Sequence, residues 1–110
     1  MPMSMQRLIS SLKGLPNVED HYLSKRVEPR FALRAKATLD VQRSNGEVFS
    51  VSALDVSDSG VGFLCRRALE PQERIGLRLA YHDEQEYEPF EVRRGTPTVG
   101  GYKIGAVVNE

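Results

Sequence analysis

The chain holds one cysteine, two histidines and no tryptophan in 110 residues. A lone thiol, Cys65, permits no intramolecular disulfide framework and suits a reducing compartment. His21 and His82 are far apart in sequence, and together with one cysteine they do not supply the clustered ligands of a metal site. No signature around Cys65 or either histidine marks a nucleophile with a positioned base, so an enzyme is not expected. No apolar run approaches the roughly 20 residues needed to cross a bilayer. The N-terminus lacks the continuous apolar stretch of a secretory signal. The expected address is cytoplasmic, without membrane insertion. Excess charge of one sign is missing too: 15 Lys and Arg balance 15 Asp and Glu, so nothing global draws nucleic acid or anionic lipid.

Glycine-rich nucleotide signatures are equally scarce. Gly60-Val61-Gly62 begins a dinucleotide fingerprint, but Cys65 stands where its third glycine belongs, and no βαβ unit surrounds it. A phosphate loop ending in Gly-Lys-Ser/Thr is absent. Asp55 to Gly60 resembles the start of a calcium loop, yet position twelve of that loop is Arg66 where a bidentate Glu is required.

What is present is a single domain, 40% apolar, with room for one modest core. Met5, Leu8, Ile9 and Leu12 recur at steps of three or four, one stripe of a short helix that Ser4 caps and Gly14 and Pro16 end. That stripe either packs on the domain or contacts another subunit. Asn17 to Pro29 has no period and reads as loop. From Phe31 the period becomes two: Ala35, Ala37, Leu39 and Val41 alternate with polar residues as a half-buried strand. Ser44-Asn45-Gly46 supplies a hairpin turn. Further strands are expected at Val48–Val56, Val61–Cys65, Ile75–Tyr81, Tyr87–Arg94 (interrupted or placed at an edge by Pro89) and Tyr102–Val108, with Thr96 to Gly101 as loop. Six short strands at this spacing predict an all-β barrel or sandwich.

The charge is balanced overall but not locally. Between His21 and Arg43 six Lys and Arg face two acids; between His82 and Glu91 there are five acids and no Lys or Arg. A basic early segment points to a small anion, not a broad polyanion surface. Two constellations carry that charge and polarity. Lys25-Arg26-Val27-Glu28-Pro29-Arg30 sets two arginines four apart on a segment that Pro29 keeps extended. A guanidinium can grip phosphate bidentately, donate to guanine O6 and N7, and stack on a purine. Asp55-Val56-Ser57-Asp58-Ser59-Gly60 joins the second strand to the third. If Val56 points inward, Asp55 and Ser57 point outward, where a carboxylate can accept from guanine N1–H and N2–H₂ and a hydroxyl can donate. Gly60 allows a positive φ or a close backbone approach.

Arg26-x-x-x-Arg30 before the first strand, followed by Asp55-x-Ser57-x-x-Gly60 after the second, resembles the PilZ family. The likeness runs from about Lys25 to Val108 and includes Gly62-Phe63-Leu64, the alternating Ile75 to Leu79, and Ile104-Gly105-Ala106-Val107. It implies a six-stranded antiparallel β-barrel at residues 31–110, a ligand-clasping loop at 17–30 and an N-terminal helix at 1–16. It also implies cyclic di-GMP as ligand, with no cofactor or metal, in second-messenger signalling of the kind that governs motility and biofilm formation. Arg26 and Arg30 would bind phosphate and guanine, Asp55 and Ser57 would read a guanine edge, and Gly60 would admit the ligand to the backbone. Lys25 stands where a cationic neighbour accompanies binding of two ligand molecules. Many relatives continue into a C-terminal helix, whereas this sequence stops at Glu110; the N-terminal helix either covers the opening such a helix would fill or binds a partner. Signalling is then expected through a protein effector, by ordering of Val18–Arg30. The alternative is a PilZ-like interaction module in pilus or flagellar control that binds no nucleotide; a single-stranded nucleic-acid barrel is disfavoured by dispersed aromatics and zero net charge.

Overall fold

Alternation of apolar and polar residues builds a wall with one dry face, and closing that wall on itself removes its edges. A computed structural model describes residues 7–14, 17–19, 31–33, 37–81 and 85–109. One helix, α1 (Arg7–Lys13), precedes β1 (Asn17–Glu19), β2 (Phe31–Leu33), β3 (Thr38–Arg43), β4 (Val48–Val56), β5 (Gly60–Cys65), β6 (Arg74–Leu79), β7 (Glu88–Thr98) and β8 (Gly101–Val108). The six longer strands pair antiparallel in the order β4-β3-β6-β7-β8-β5, and β5 pairs back onto β4. The expected six-stranded barrel is therefore closed.

Its inward residues include those the alternation picked out in β3 and β6, and β7 and β8 add their own. Leu39 and Val41, Ile75 and Leu77, Phe90 and Val92, and Ile104 and Ala106 are all buried. Leu8, Ile9 and Leu12 of α1 join the same core. The helix packs on β4 and β6, strands separated by β3, so it lies across an opening of the barrel. The helical stripe thus serves its own domain. Glu88 of β7 is buried and its Oε2 accepts the Leu8 N–H at 2.9 Å, satisfying one of the donors that a helix start leaves unpaired. Ser4, expected in a capping role, lies outside the described residues.

Three elements differ from expectation. Asn17–Glu19, read as loop, is a strand whose register on β2 runs from Asn17↔Leu33 to Glu19↔Phe31. Three residues are too few to show a period, and the pairing partner alone organises them. Phe31 does not begin the same strand as Leu39. β2 pairs with the far end of β4 (Phe31↔Val56, Ala32↔Asp55), and β3 takes the near half (Thr38↔Ser52 to Gln42↔Val48). Finally, Thr96 to Thr98 belongs to β7, and the β7–β8 turn is only Val99-Gly100. Pro97 is tolerated because the β6 ladder ends at Arg74↔Glu91 and leaves that side of β7 without a strand. Pro89, at the start of β7, lies one residue before the β8 ladder begins at Phe90↔Val108. The Asn45-Gly46 turn forms as expected, with φ 93° at Gly46.

Candidate functional site

Strict alternation from Val51 and Ala53, both buried, would turn Asp55 into the barrel. A bulge prevents it. Ala53 pairs with Phe63 and Asp55 with Gly62, so Leu54 is an extra residue. The phase recovers with Val56 inward and fully buried, and Asp55 is delivered to the outer wall. β7 repeats the device: Val92 pairs with Ala106 and Arg94 with Gly105, leaving Arg93 extra. Since Gly62 pairs with Gly105, the two bulges end one row, Asp55–Gly62–Gly105–Arg94, that crosses four adjacent strands. Three strand spacings make it about 14 Å long at the backbone.

The middle of that row has no side chains. The Asp55 carboxylate lies against Gly62, where an added Cβ would stand 2.5 Å from Oδ1. Above Gly105 an added Cβ would approach, among the described residues, only the Arg94 stem, at 3.8 Å from Cγ. The next outward row pairs Leu64 with Lys103, and Lys103 Nζ stands 3.7 Å from Asp55 Oδ2. An acceptor at one end, cations at the other end and alongside, and bare peptide at Gly105 between them can take a planar ring laid flat. Such a ring can have donors on one edge and negative charge beside it.

The turn after Asp55 is held by backbone bonds. Ser57 N–H donates to the Gly60 carbonyl at 2.9 Å, and Val108 N–H donates to that of Ser59 at 2.8 Å. Ser57 is buried beside Asp55. Gly60 is required by close approach, since a Cβ there would come within 2.7 Å of the Ala106 carbonyl oxygen. Lys13 of α1 pairs with Asp58 inside this turn and lies 5.8 Å from the centre of the Phe31 ring. One lysine therefore ties the helix to both the turn and β2.

Lys25, Arg26 and Arg30 lie outside the described residues, as does the stretch from 20 to 30 whose ordering was expected to carry a signal; Val18 and Glu19 are in β1. What is described is the anchor of that stretch. Phe31, the residue after Arg30 in sequence, pairs with Val56, and Ala32 pairs with Asp55. Among the described residues no group of three or more His, Cys, Asp or Glu could hold a metal ion. Cys65 is buried in the barrel, and desolvation pushes its thiol up, the opposite of an activated nucleophile.

The family model of the PilZ domain matches residues 24–108. The chain belongs to the PilZ family. Proteins with a PilZ domain are generally binding or adaptor modules and not enzymes. A comparison with curated proteins finds no match. No helix among the described residues is long and apolar enough to cross a membrane. In this PilZ barrel the Asp55, Ser57 and Gly60 motif sits at one end of the glycine row. Gly62, Gly105, Lys103 and Arg94 complete the row and its flank without being singled out as site residues by sequence. A glycine between apolar strand residues is a readable signal of close approach at Gly62, while at Gly105 it marks open space. Arg94 carries no such signal, because only the bulge at Arg93 turns it outward.

Proposed function

We propose that this PilZ domain is a cyclic di-GMP receptor that holds the nucleotide on its outer wall, does no chemistry on it, and acts through a protein effector in the cytoplasm. The observation that carries the reading is the pairing of Phe31 with Val56 and Ala32 with Asp55. It brings the chain that follows Arg30 directly beside the motif turn. Arg30 is one residue from that pairing, and Arg26 five, a reach of at most about 18 Å. This register supports a reading in which the two separate clusters of the sequence act at one place.

The glycine row supports the same reading. A guanine lying over Gly105, with its edge toward the Asp55 carboxylate that covers Gly62, presents N1–H and N2–H₂ to that carboxylate, whose two oxygens can accept them while keeping Lys103. Arg26 and Arg30 grip phosphate or stack on the purine, Lys25 adds charge, Ser57 supports the turn, and Arg94 offers a further guanidinium. Titration calorimetry against cyclic di-GMP, cyclic di-AMP and GMP tests it. Cyclic di-GMP is expected to bind best, and Arg30→Ala to abolish the heat. Absence of heat with a folded wild-type chain overturns the reading.

A second reading has its own support. Lys103 already partners Asp55, and the Ala106 carbonyl already explains Gly60, as an interaction module without nucleotide would require. The same calorimetry separates the two.

A further inference from the structure

Beside the glycine row, the outer wall of β3, β4 and β5 carries a recess of about 580 Å³ that none of the motif residues line. Its floor is a patch of outward hydroxyls, Thr38, Ser50 and Ser52, and its walls are Leu64 and the Val99-Gly100 hairpin tip. Four large apolar side chains are exposed among the described residues. Leu64 (37%) and Val99 (98%) line the recess, Val48 (51%) extends the same face of β4 past Ser50, and only Tyr81 is placed elsewhere. Exposed aliphatics gathered on one face mark an interaction surface.

The charge there has one sign. The lining holds two arginines, Arg66 and Arg67, and no carboxylate. Arg67 is already employed, with Nε 3.0 Å from Glu47 Oε2 and its guanidinium 4.4 Å from the centre of the Phe49 ring. Arg66 is exposed and makes no ion pair or hydrogen bond with any described residue. A solitary outward guanidinium next to protruding aliphatics matches a carboxylate that arrives with an apolar neighbour.

We propose that this recess docks an acidic, aliphatic-bearing segment of a partner protein. Leu64, Val99 and Val48 bury the aliphatic side chain, Arg66 takes the carboxylate, and the hydroxyl floor meets the polar groups of the segment's backbone. Leu64 pairs with Lys103, which reaches Asp55, so the docked segment lies one outward row from the glycine row. The inference does not depend on nucleotide binding.

A displayed library of random peptides about twelve residues long, selected on the full chain and sequenced, tests this surface. Enriched peptides are expected to carry Asp or Glu within three residues of Leu, Ile or Val. Titrated singly, they should bind Arg66→Glu at least about tenfold more weakly and Val99→Ser at least about threefold more weakly, with melting temperature and cyclic di-GMP isotherm unchanged. Arg66→Gln and Val99→Thr carry the same readout should either variant fail to fold. Any of four results overturns the proposal: no enrichment, enrichment of basic peptides, equal binding by wild type and variants, or a recess occupied instead by an oligonucleotide or a second copy of the chain.

Discussion

Two stretches of the barrel's outer wall use arginine, aspartate and glycine to opposite ends. On the β3–β6–β7 side, Arg78 lies 4.3 Å from the Tyr87 ring centre, reaches Asp40 Oδ2 at 3.4 Å and donates to the Gln85 carbonyl at 3.1 Å. Tyr87 also covers Gly76, where an added Cβ would meet its Cβ at 2.7 Å. On the β4–β5–β8–β7 side, Arg94 makes no ion pair or hydrogen bond with any described residue, and of the described residues only its stem approaches the space above Gly105. The residue types match; the unused capacity does not. An arginine and a glycine on a barrel wall are structural when neighbours consume their donors and their space. They can receive a ligand when nothing does.

That contrast is broken most sharply by adding a side chain to the open glycine and to the covered one, Gly105 and Gly76. Gly105→Val is expected to weaken cyclic di-GMP more than about a hundredfold, about 2.7 kcal/mol. The melting temperature should barely move, because the site has room and valine suits a strand. Undiminished binding by this folded variant would erase the distinction between the two sides. Asp55→Ala should cost about tenfold to a hundredfold in affinity and flatten the preference for guanine, read by titrating cyclic di-GMP and cyclic di-AMP in parallel. Gly76→Val should do the reverse of Gly105→Val. It displaces Tyr87 and lowers stability by about 1–3 kcal/mol in denaturant melts, with affinity per folded molecule unchanged.

A smaller effect tests self-satisfied polarity elsewhere. Arg43 donates to Glu73 from Nε at 2.7 Å and from Nη2 at 3.1 Å, and to Glu47 at 3.1 Å. The hydrogen bond from Arg43 holds the Glu73 carboxyl below its ordinary 4.5 and raises the guanidinium. A lowered carboxylate stabilises the fold above its unfolded value, and that contribution is lost as pH falls through the folded value. Glu73→Gln is therefore expected to cost about 1 kcal/mol near neutrality, a moderate figure because the pair is partly solvated. The gap between variant and wild type should close in acid melts below pH 4.5.

Much of this is legible in the sequence. Leu39, Val41, Ile75 and Leu77 announced themselves by alternation, and the Asp55, Ser57 and Gly60 motif by its spacing. Alternation nonetheless misplaces whatever follows a bulge. Continued from Ala53 it would bury Asp55, and continued from Val92 it would bury Arg94. Short pairings such as β1 on β2 are invisible for a related reason, because three residues have no period and depend wholly on their partner.

The sequence by itself determined the alternating inward faces, the turn at Asn45-Gly46 and the identity of the motif, because local patterns of size, polarity and backbone freedom suffice for those. Only the tertiary structure decided that two extra residues, Leu54 and Arg93, would set Asp55 and Arg94 at opposite ends of the Gly62–Gly105 row. Inter-strand register is a property of paired chains, and no single strand encodes which neighbour's glycine will lie beneath its side chain.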